Sequence, residues 1–414
     1  MNESWIHNPA GQYLVDYAKN SFGIVIPPLG IMIIMLVIML IFLALAALVL
    51  IWLERKISAR IQNRMGPMLT GPGMLKNGSM WTGGLFQTIA DAIKLLLKEL
   101  IIPGRADPVP FVLAPVLIFG VCVSAFLVIP FAPALSVADL NIGILYVISV
   151  SSLTVLSIIM AGWSSNNKYS LLGGLRSAAQ MLSYEIPLLF ALLGPIVMAE
   201  TLSMQGIVKA QHDMGVWFVV PSFLGCVIYY VAAIAEVNRP PFDIPEAESE
   251  LVAGYVSEYS GMMFAMFFLA EFCNMMLVSA IATTVFLGGW AVPFMPLPDE
   301  PTLLYSLVGA AVFFVKMSAL ILLMMWIRWT FPRVRPDHLM NLGWKFMLPL
   351  AFINLMICAG VAILDVETEG KMGALPIWGI GIVSLGIVAW ALSLFKEKEG
   401  QAYDVMSTQQ EVAK

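Results

Sequence analysis

Residues 29–53 read LGIMIIMLVIMLIFLALAALVLIWL, twenty-five residues without a charge. At 1.5 Å per residue a helix over this run is ~37 Å long, more than the ~30 Å hydrocarbon core of a bilayer. The whole chain agrees with that reading. Of its 414 residues, 60% are hydrophobic and 12% charged, and the mean hydropathy is +0.87. The composition excludes an ordinary soluble domain and predicts an all-α polytopic membrane protein. Nine segments have suitable length: 29–53, 110–130, 141–163, 176–199, 216–236, 260–287, 303–328, 342–364 and 374–395. Residues 1–28 form a mixed N-terminal segment whose one cation is Lys19. Without a basic n-region, a cleaved signal peptide is not expected. No internal repeat or soluble domain interrupts the chain.

The loops supply an orientation. Those after spans 1, 3, 5 and 7, with the tail, carry 18 of the 22 Lys and Arg; the N-terminus and the other loops carry 3, and Lys316 lies inside span 7. Cations concentrate on the cytoplasmic side, so the N-terminus is expected outside and the C-terminus inside. The first loop opens with Glu54-Arg55-Lys56 at the end of the apolar run. Lys56, Arg60 and Arg64 recur every four residues, a basic stripe suited to lipid phosphates or to a ligand. Gly66, Pro67, Gly71, Pro72 and Gly73 then break the chain. Over 83–100, Leu85, Phe86, Ile89, Ile93, Leu96, Leu97 and Leu100 share one face, and Gln87, Asp91, Lys94 and Lys98 the other. This predicts an amphipathic helix lying in the membrane interface.

One polar stretch stands apart, Glu236-Val-Asn-Arg-Pro-Pro-Phe-Asp-Ile-Pro-Glu-Ala-Glu-Ser-Glu-Leu251. Pro240, Pro241 and Pro245 forbid a straight helix through it. Glu236, Asp243, Glu246, Glu248 and Glu250 crowd around a single local cation, Arg239. Glu246 and Glu250 share a face if a helix restarts after Pro245. Crowded carboxylates raise one another's proton affinity, so the stretch is either a solvated acidic loop or a proton relay or cation site. Inside the spans lie Glu185, followed by Pro187, together with Glu271 and Lys316. A charge at the centre of a membrane helix costs ~2.5–3.5 kcal/mol, so each such group faces protein or water. Glu271 and Lys316 are candidates for a structural ion pair. The set of acids reads as a path for protons or cations. The 27 Met and the Phe-rich span 6 read as lipid-facing bulk. Cys122, Cys226, Cys273 and Cys358 form no CxxC pair, and His7, His212 and His338 lie outside the spans. An iron–sulfur cluster, structural zinc or haem held by this chain is therefore not expected.

Several blocks occur in order: Leu53-Glu54-Arg55-Lys56 with Gln62 to Pro67; Ala90-Asp91-Ala92-Ile93-Lys94 with Lys98-Glu99; Gly162-Trp163-Ser164 with Leu175-Arg176 and Gln180; and Ser183-Tyr184-Glu185. They continue with Glu236 to Asp243, Glu246 to Gly254, Ala270-Glu271-Phe272, Trp326-Ile327-Arg328, Asp337 and Trp344-Lys345. Together they resemble the quinone-chamber membrane subunit family of proton-pumping NADH–quinone oxidoreductase, respiratory complex I. The resemblance implies a membrane protein that forms a quinone chamber with peripheral-arm iron–sulfur and quinone-site subunits, beside other membrane-arm subunits in a bacterial cytoplasmic membrane. Quinone would bind at the interface as substrate. Iron–sulfur clusters and flavin would belong to partners, and no nucleic acid is involved.

The resemblance assigns Glu54, Glu185, Glu236, Glu246, Glu248 and Glu250 to a proton route. It assigns Arg55, Arg64, Asp91, Arg176, Arg239 and Asp243 to the chamber and its bracing. No metal site is implied. The family core corresponds to 29–365 with eight spans; the ninth span, within 366–396, and the tail 397–414 are additions. The loop between Pro67 and Phe86 is longer than usual, Met68 replaces the family's Asn, Gln87-Thr88 replaces Gln-Pro, and His338 replaces Gln. Two other readings share parts of the pattern: a hydrogenase membrane anchor without quinone, and an independent transporter using Glu185, Glu271 and Lys316. The Glu246 to Glu250 run argues against the first, and the absence of an internal repeat argues against the second.

Overall fold

The computed structural model describes residues 28–68, 70, 84–133, 135–244, 251–291 and 303–367, with Gly379 and Gly386. Among them the regular structure is helical. Helix α1 spans Pro28–Ile61 and carries the opening apolar run straight into the basic segment. Its stripe is shorter than expected: Asn63 turns left-handed at φ 52° and Arg64 falls beyond the helix. Helix α2, Phe86–Leu97, is the expected amphipathic element, with Phe86, Ile89, Ile93, Leu96 and Leu97 left exposed.

Helix α3 is Pro108–Phe126, and the third span is divided at Ser152 into α4, Gly143–Ser151, and α5, Leu153–Ser164. Helix α6, Lys168–Ala199, starts eight residues before the expected span because Asn167 accepts the Tyr169 N–H as its cap. It runs through Pro187 and Pro195. Then follow α7, Met204–Asp213; α8, Phe223–Glu236; a 3-10 turn, Gly254–Val256; α9, Gly261–Phe286; and α10, Leu303–Thr330. The eighth span is composite: α11, Pro336–Asn341, a π turn over Leu342–Met347, then α12, Leu348–Glu367.

Among the described residues seven spans are long and apolar enough to cross a membrane, and α8 is a shorter apolar helix of 14 residues. These eight match eight of the nine expected segments. The ninth, 374–395, lies outside the described residues apart from Gly379 and Gly386, as do the N-terminal segment to residue 27, most of the 68–85 loop and the tail.

Helix α6 is the hub, packed by α5, α8, α12 and the Gly254–Val256 turn. Without water to drive association, membrane helices hold together by close packing of small residues. Here Gly174 meets Gly162 on α5, and Gly173 meets the backbone of Gly254, where an added Cβ would stand 2.6 Å from the Gly254 Cα. The glycine on α6 thus seats the segment that follows the acidic stretch. The expectation for span 6 is corrected here. Helix α9 is the most buried of the long spans. Phe267, Phe272, Met275 and Met276 are interior, and only residues such as Met262 and Phe264 face outward. Their size fills the space between α3, α10 and the hub rather than facing lipid.

Candidate functional site

The polar stretch begins where α8 stops. Val237 and Asn238 form a tight turn with Asn238 at φ 55°, followed by the cis Pro240–Pro241 bond. This turn delivers Arg239, which is 1% exposed, into the bundle. Its Nη1 donates to Glu54 Oε2 at 2.7 Å, and its Nε lies 2.5 Å from Glu271 Oε1. The guanidinium carbon stands 4.4 Å from the centroid of the Phe272 ring. Arg328 at the end of α10 pairs with the other Glu54 oxygen. Asp243 pairs with Arg333 at 3.0 Å, and Val334 N–H donates to the Pro241 carbonyl, tying the stretch to the α10–α11 connection.

Arg239 thus reaches acids from α1 and α9 that are remote from it in sequence, and Arg333, from outside the stretch, pairs with Asp243. Planar guanidinium groups suit this role because one can bridge two carboxylates.

A second ion pair flanks the cluster. Arg55 on α1 meets Asp91 on α2 at 2.5 Å, and Gln87 Nε2 donates to Asp91 at 3.1 Å. The polar face of α2 thus turns to α1 while its apolar face is left outward. Of the other chamber candidates, Arg64 is exposed and donates to Gln62, and Arg176 is half-buried on α6, one turn before Gln180.

The proton-route candidates divide in space. Glu54 belongs to the arginine cluster. Glu185 accepts a short hydrogen bond from Ser152, at the break between α4 and α5. Glu236 lines a cavity of about 30 Å³ with Ser151, Ile148, Leu188, Met204 and Tyr229. That is room for a water or two. Glu185 and Glu236 are close enough for their charges to interact. No described base forms an ion pair with either. Glu246, Glu248 and Glu250 lie outside the described residues.

A larger pocket of about 200 Å³ opens beside the cluster. Tyr255, Phe264, Phe267 and Phe268 wall it, and Glu271 and Arg328 stand among its lining. Tyr259, at the foot of α9, stacks on Phe111 at 4.1 Å and donates to the Phe111 carbonyl. Burial pushes its hydroxyl up to about 12, against a smaller pull from Ser164, so it remains a donor at physiological pH.

Lys316 overturns a further expectation. It does not meet Glu271. Its Nζ donates to the carbonyls of Leu287, Gly289 and Ala291 at 2.8, 3.0 and 3.2 Å, and stands 4.9 Å from the Trp217 ring centroid. Three donors meet three acceptors just past the end of α9, where helix carbonyls lack partners of their own. Lys316→Met should lower the stability of the assembled protein by about 1–3 kcal/mol, because buried carbonyls lose their donor. Thermal inactivation measures this; an unaltered inactivation temperature would refute the capping role. With Glu185 on Ser152 and Glu271 on Arg239, the three groups invoked for a transporter do not come together.

Sequence reading missed Arg333, Ser152 and Asn354. Arg333 carried a faint signal as one of few cations in its loop; Ser152 and Asn354 carried none, because nothing local distinguishes them from other small polar residues in spans.

Comparison with known proteins gives a consistent outcome. A family model described as NADH dehydrogenase matches residues 33–359. A protein of Carboxydothermus hydrogenoformans, named as the H subunit of NADH-quinone oxidoreductase, is 46% identical over 354 residues, 86% of this chain and 92% of the relative. A Dehalococcoides mccartyi protein of the same name is 48% identical over 375 residues, 90% and 92% of the two chains. A second from that species is 47% identical and covers 94% of this chain, more than residues 29–365 alone could supply.

Proposed function

The chain belongs to the NADH dehydrogenase family, as a subunit of an NADH-quinone oxidoreductase-type complex, and from that premise we propose that it lines part of a quinone-reduction chamber and carries redox-linked protonation changes along buried carboxylates. The observation that carries this reading is that two charged groups are shared between the pocket and the cluster. Glu271 and Arg328 line the aromatic pocket and also belong to the cluster with Glu54 and Arg239. A ligand in the pocket therefore touches the electrostatics of the carboxylate network directly.

The pocket fits a quinone headgroup in kind. Aromatic walls take a flat ring, and polar groups can meet its oxygens. At about 200 Å³ it is smaller than the ~300–1,000 Å³ of complete small-molecule sites. Peripheral-arm subunits would supply the remaining wall and the electrons, through iron–sulfur clusters of their own. In this reading Arg55–Asp91 and Asp243–Arg333 brace the chamber, and Arg64 and Arg176 belong to its lining. Reduction of the quinone alters the charge at the pocket. The change passes to Glu271 and Glu54, and onward to Glu236 and Glu185, with Glu246, Glu248 and Glu250 in the connecting stretch. The Lys and Arg distribution favours an orientation with this end toward the cytoplasm of a bacterial cell and the N-terminus outside.

Purification in mild detergent tests the partnership. The chain is expected to emerge with iron–sulfur subunits and quinone-reductase activity. Recovery of an active transporter consisting of this chain alone would overturn the reading.

A further inference from the structure

Helix α8 has 14 residues, about 21 Å at 1.5 Å per residue, so it cannot reach across a ~30 Å hydrocarbon core and at least one of its ends stops short of the far side. Helix ends leave N–H and C=O groups unpartnered, and in a membrane water is not there to satisfy them. Both ends of α8 receive amide side chains from other spans. At the start, Asn354 of α12, fully buried, accepts the Gly225 N–H at 3.0 Å and bonds Ser222. Its slot is made by two glycines. An added Cβ would stand 2.9 Å from Asn354 Nδ2 at Gly194 and 2.5 Å at Gly225.

At the other end, Gln180 of α6, 1% exposed, donates through Nε2 to the carbonyls of Ala235 at 2.8 Å and Phe242 at 2.6 Å. Two carbonyl acceptors fix which way this amide points. Ala235 precedes Glu236, and Phe242 lies on the far side of the Arg239 turn.

We propose that Gln180 and Asn354 are positioning residues: the two amides clamp α8 from both ends and fix the depth at which Glu236 meets its cavity and Glu185. This rests on the proton-route reading of Glu236. Proton transfer is steep in geometry. A 1 Å displacement costs reactions on the order of a hundredfold, and a short helix that loses a cap loses the contact that holds that end in place.

The test uses inverted membrane vesicles holding the whole complex, with NADH-driven acidification as readout. Assembly and electron transfer from NADH to a hydrophilic acceptor serve as controls. Gln180→Glu keeps the volume but loses both N–H donors; Asn354→Leu removes the acceptor. Each is expected to lower acidification on the order of ten- to a hundredfold with the controls unchanged. Gln180→Glu should recover on acidification, because a protonated carboxyl regains one donor. Asn354→Asp, which retains the acceptor opposite Gly225, should stay near the parent.

In a Glu236→Gln background neither cap substitution should reduce the residual quinone-reduction rate further. Equal losses in both backgrounds, or unchanged acidification and pH profile, would overturn the clamp. If Gln180→Glu and Asn354→Leu do not assemble, Asn354→Asp decides: parental behaviour supports the clamp, and failure refutes it. Normal cap variants beside a defective Glu236→Gln reject the clamp alone, whereas a normal Glu236→Gln rejects the proton-route reading and the clamp with it.

Discussion

Arg239→Ala is expected to strip the assembled complex from membranes, or to leave it with a sharply lowered thermal stability. The side chain is buried, and two carboxylates from different spans lean on it. Glu54 would still hold Arg328, but Glu271 would be left without the guanidinium at 2.5 Å. Removing one partner of a buried pair costs about 3–5 kcal/mol, because the other charge stays desolvated and uncompensated. Arg239→Lys retains the charge but not the planar fork that spans two acids, so an intermediate loss is expected. Adding Glu271→Gln to the alanine variant neutralises the stranded acid and should restore part of the stability. Native-gel yield and thermal inactivation measure all three. An alanine variant that assembles and withstands heat like the parent would show that this cluster does not hold the bundle together.

Glu236→Gln has the opposite profile, a steep loss of proton movement in an intact protein. Glutamine matches the shape of the glutamate, and no described base pairs with Glu236, so the substitution leaves no stranded charge. Assembly should be unaffected. Acidification of inverted vesicles per NADH oxidised should fall about a hundredfold, the lower end of what a positioned acid–base group contributes. Glu185→Gln should follow it in direction, since an amide still accepts from Ser152 but carries no proton. If the acidification ratio stays at the parental value in Glu236→Gln, the carboxylate beside the cavity takes no part in proton movement.

The two substitutions differ because the acids sit in different settings, and that difference is not visible in the chain. Glu54, Glu236 and Glu271 look alike in sequence: each is an acid within or at the end of an apolar run. In the fold, Glu54 and Glu271 are held by arginines, whereas Glu236 faces a water-sized cavity. Lys316 makes the same point. Glu271 and Lys316 are the ionisable groups deepest in adjacent spans, which makes a pair the natural expectation. Lys316 instead caps the carbonyls past the end of α9. From Glu271 to Leu287 the helix rises roughly 24 Å, so the two charges act at well-separated depths of the bundle.

The apolar spans and the amphipathic α2 were legible in the chain alone, because the penalty for placing charge in hydrocarbon dominates locally and writes itself into long apolar runs, and the ordered blocks of residues carried the family. The turn at Arg239 was legible in the chain as well, because the adjacent Pro240 and Pro241 remove two successive backbone donors. The partners emerged from helix packing: Arg239 with Glu54 and Glu271, Arg333 with Asp243, Gln180 and Asn354 at the two ends of α8. Those choices depend on the rotation and depth of one helix against another. Close contacts between small residues such as Gly162, Gly173, Gly174 and Gly194 set that registration, and a contact between helices leaves no periodic mark in either one.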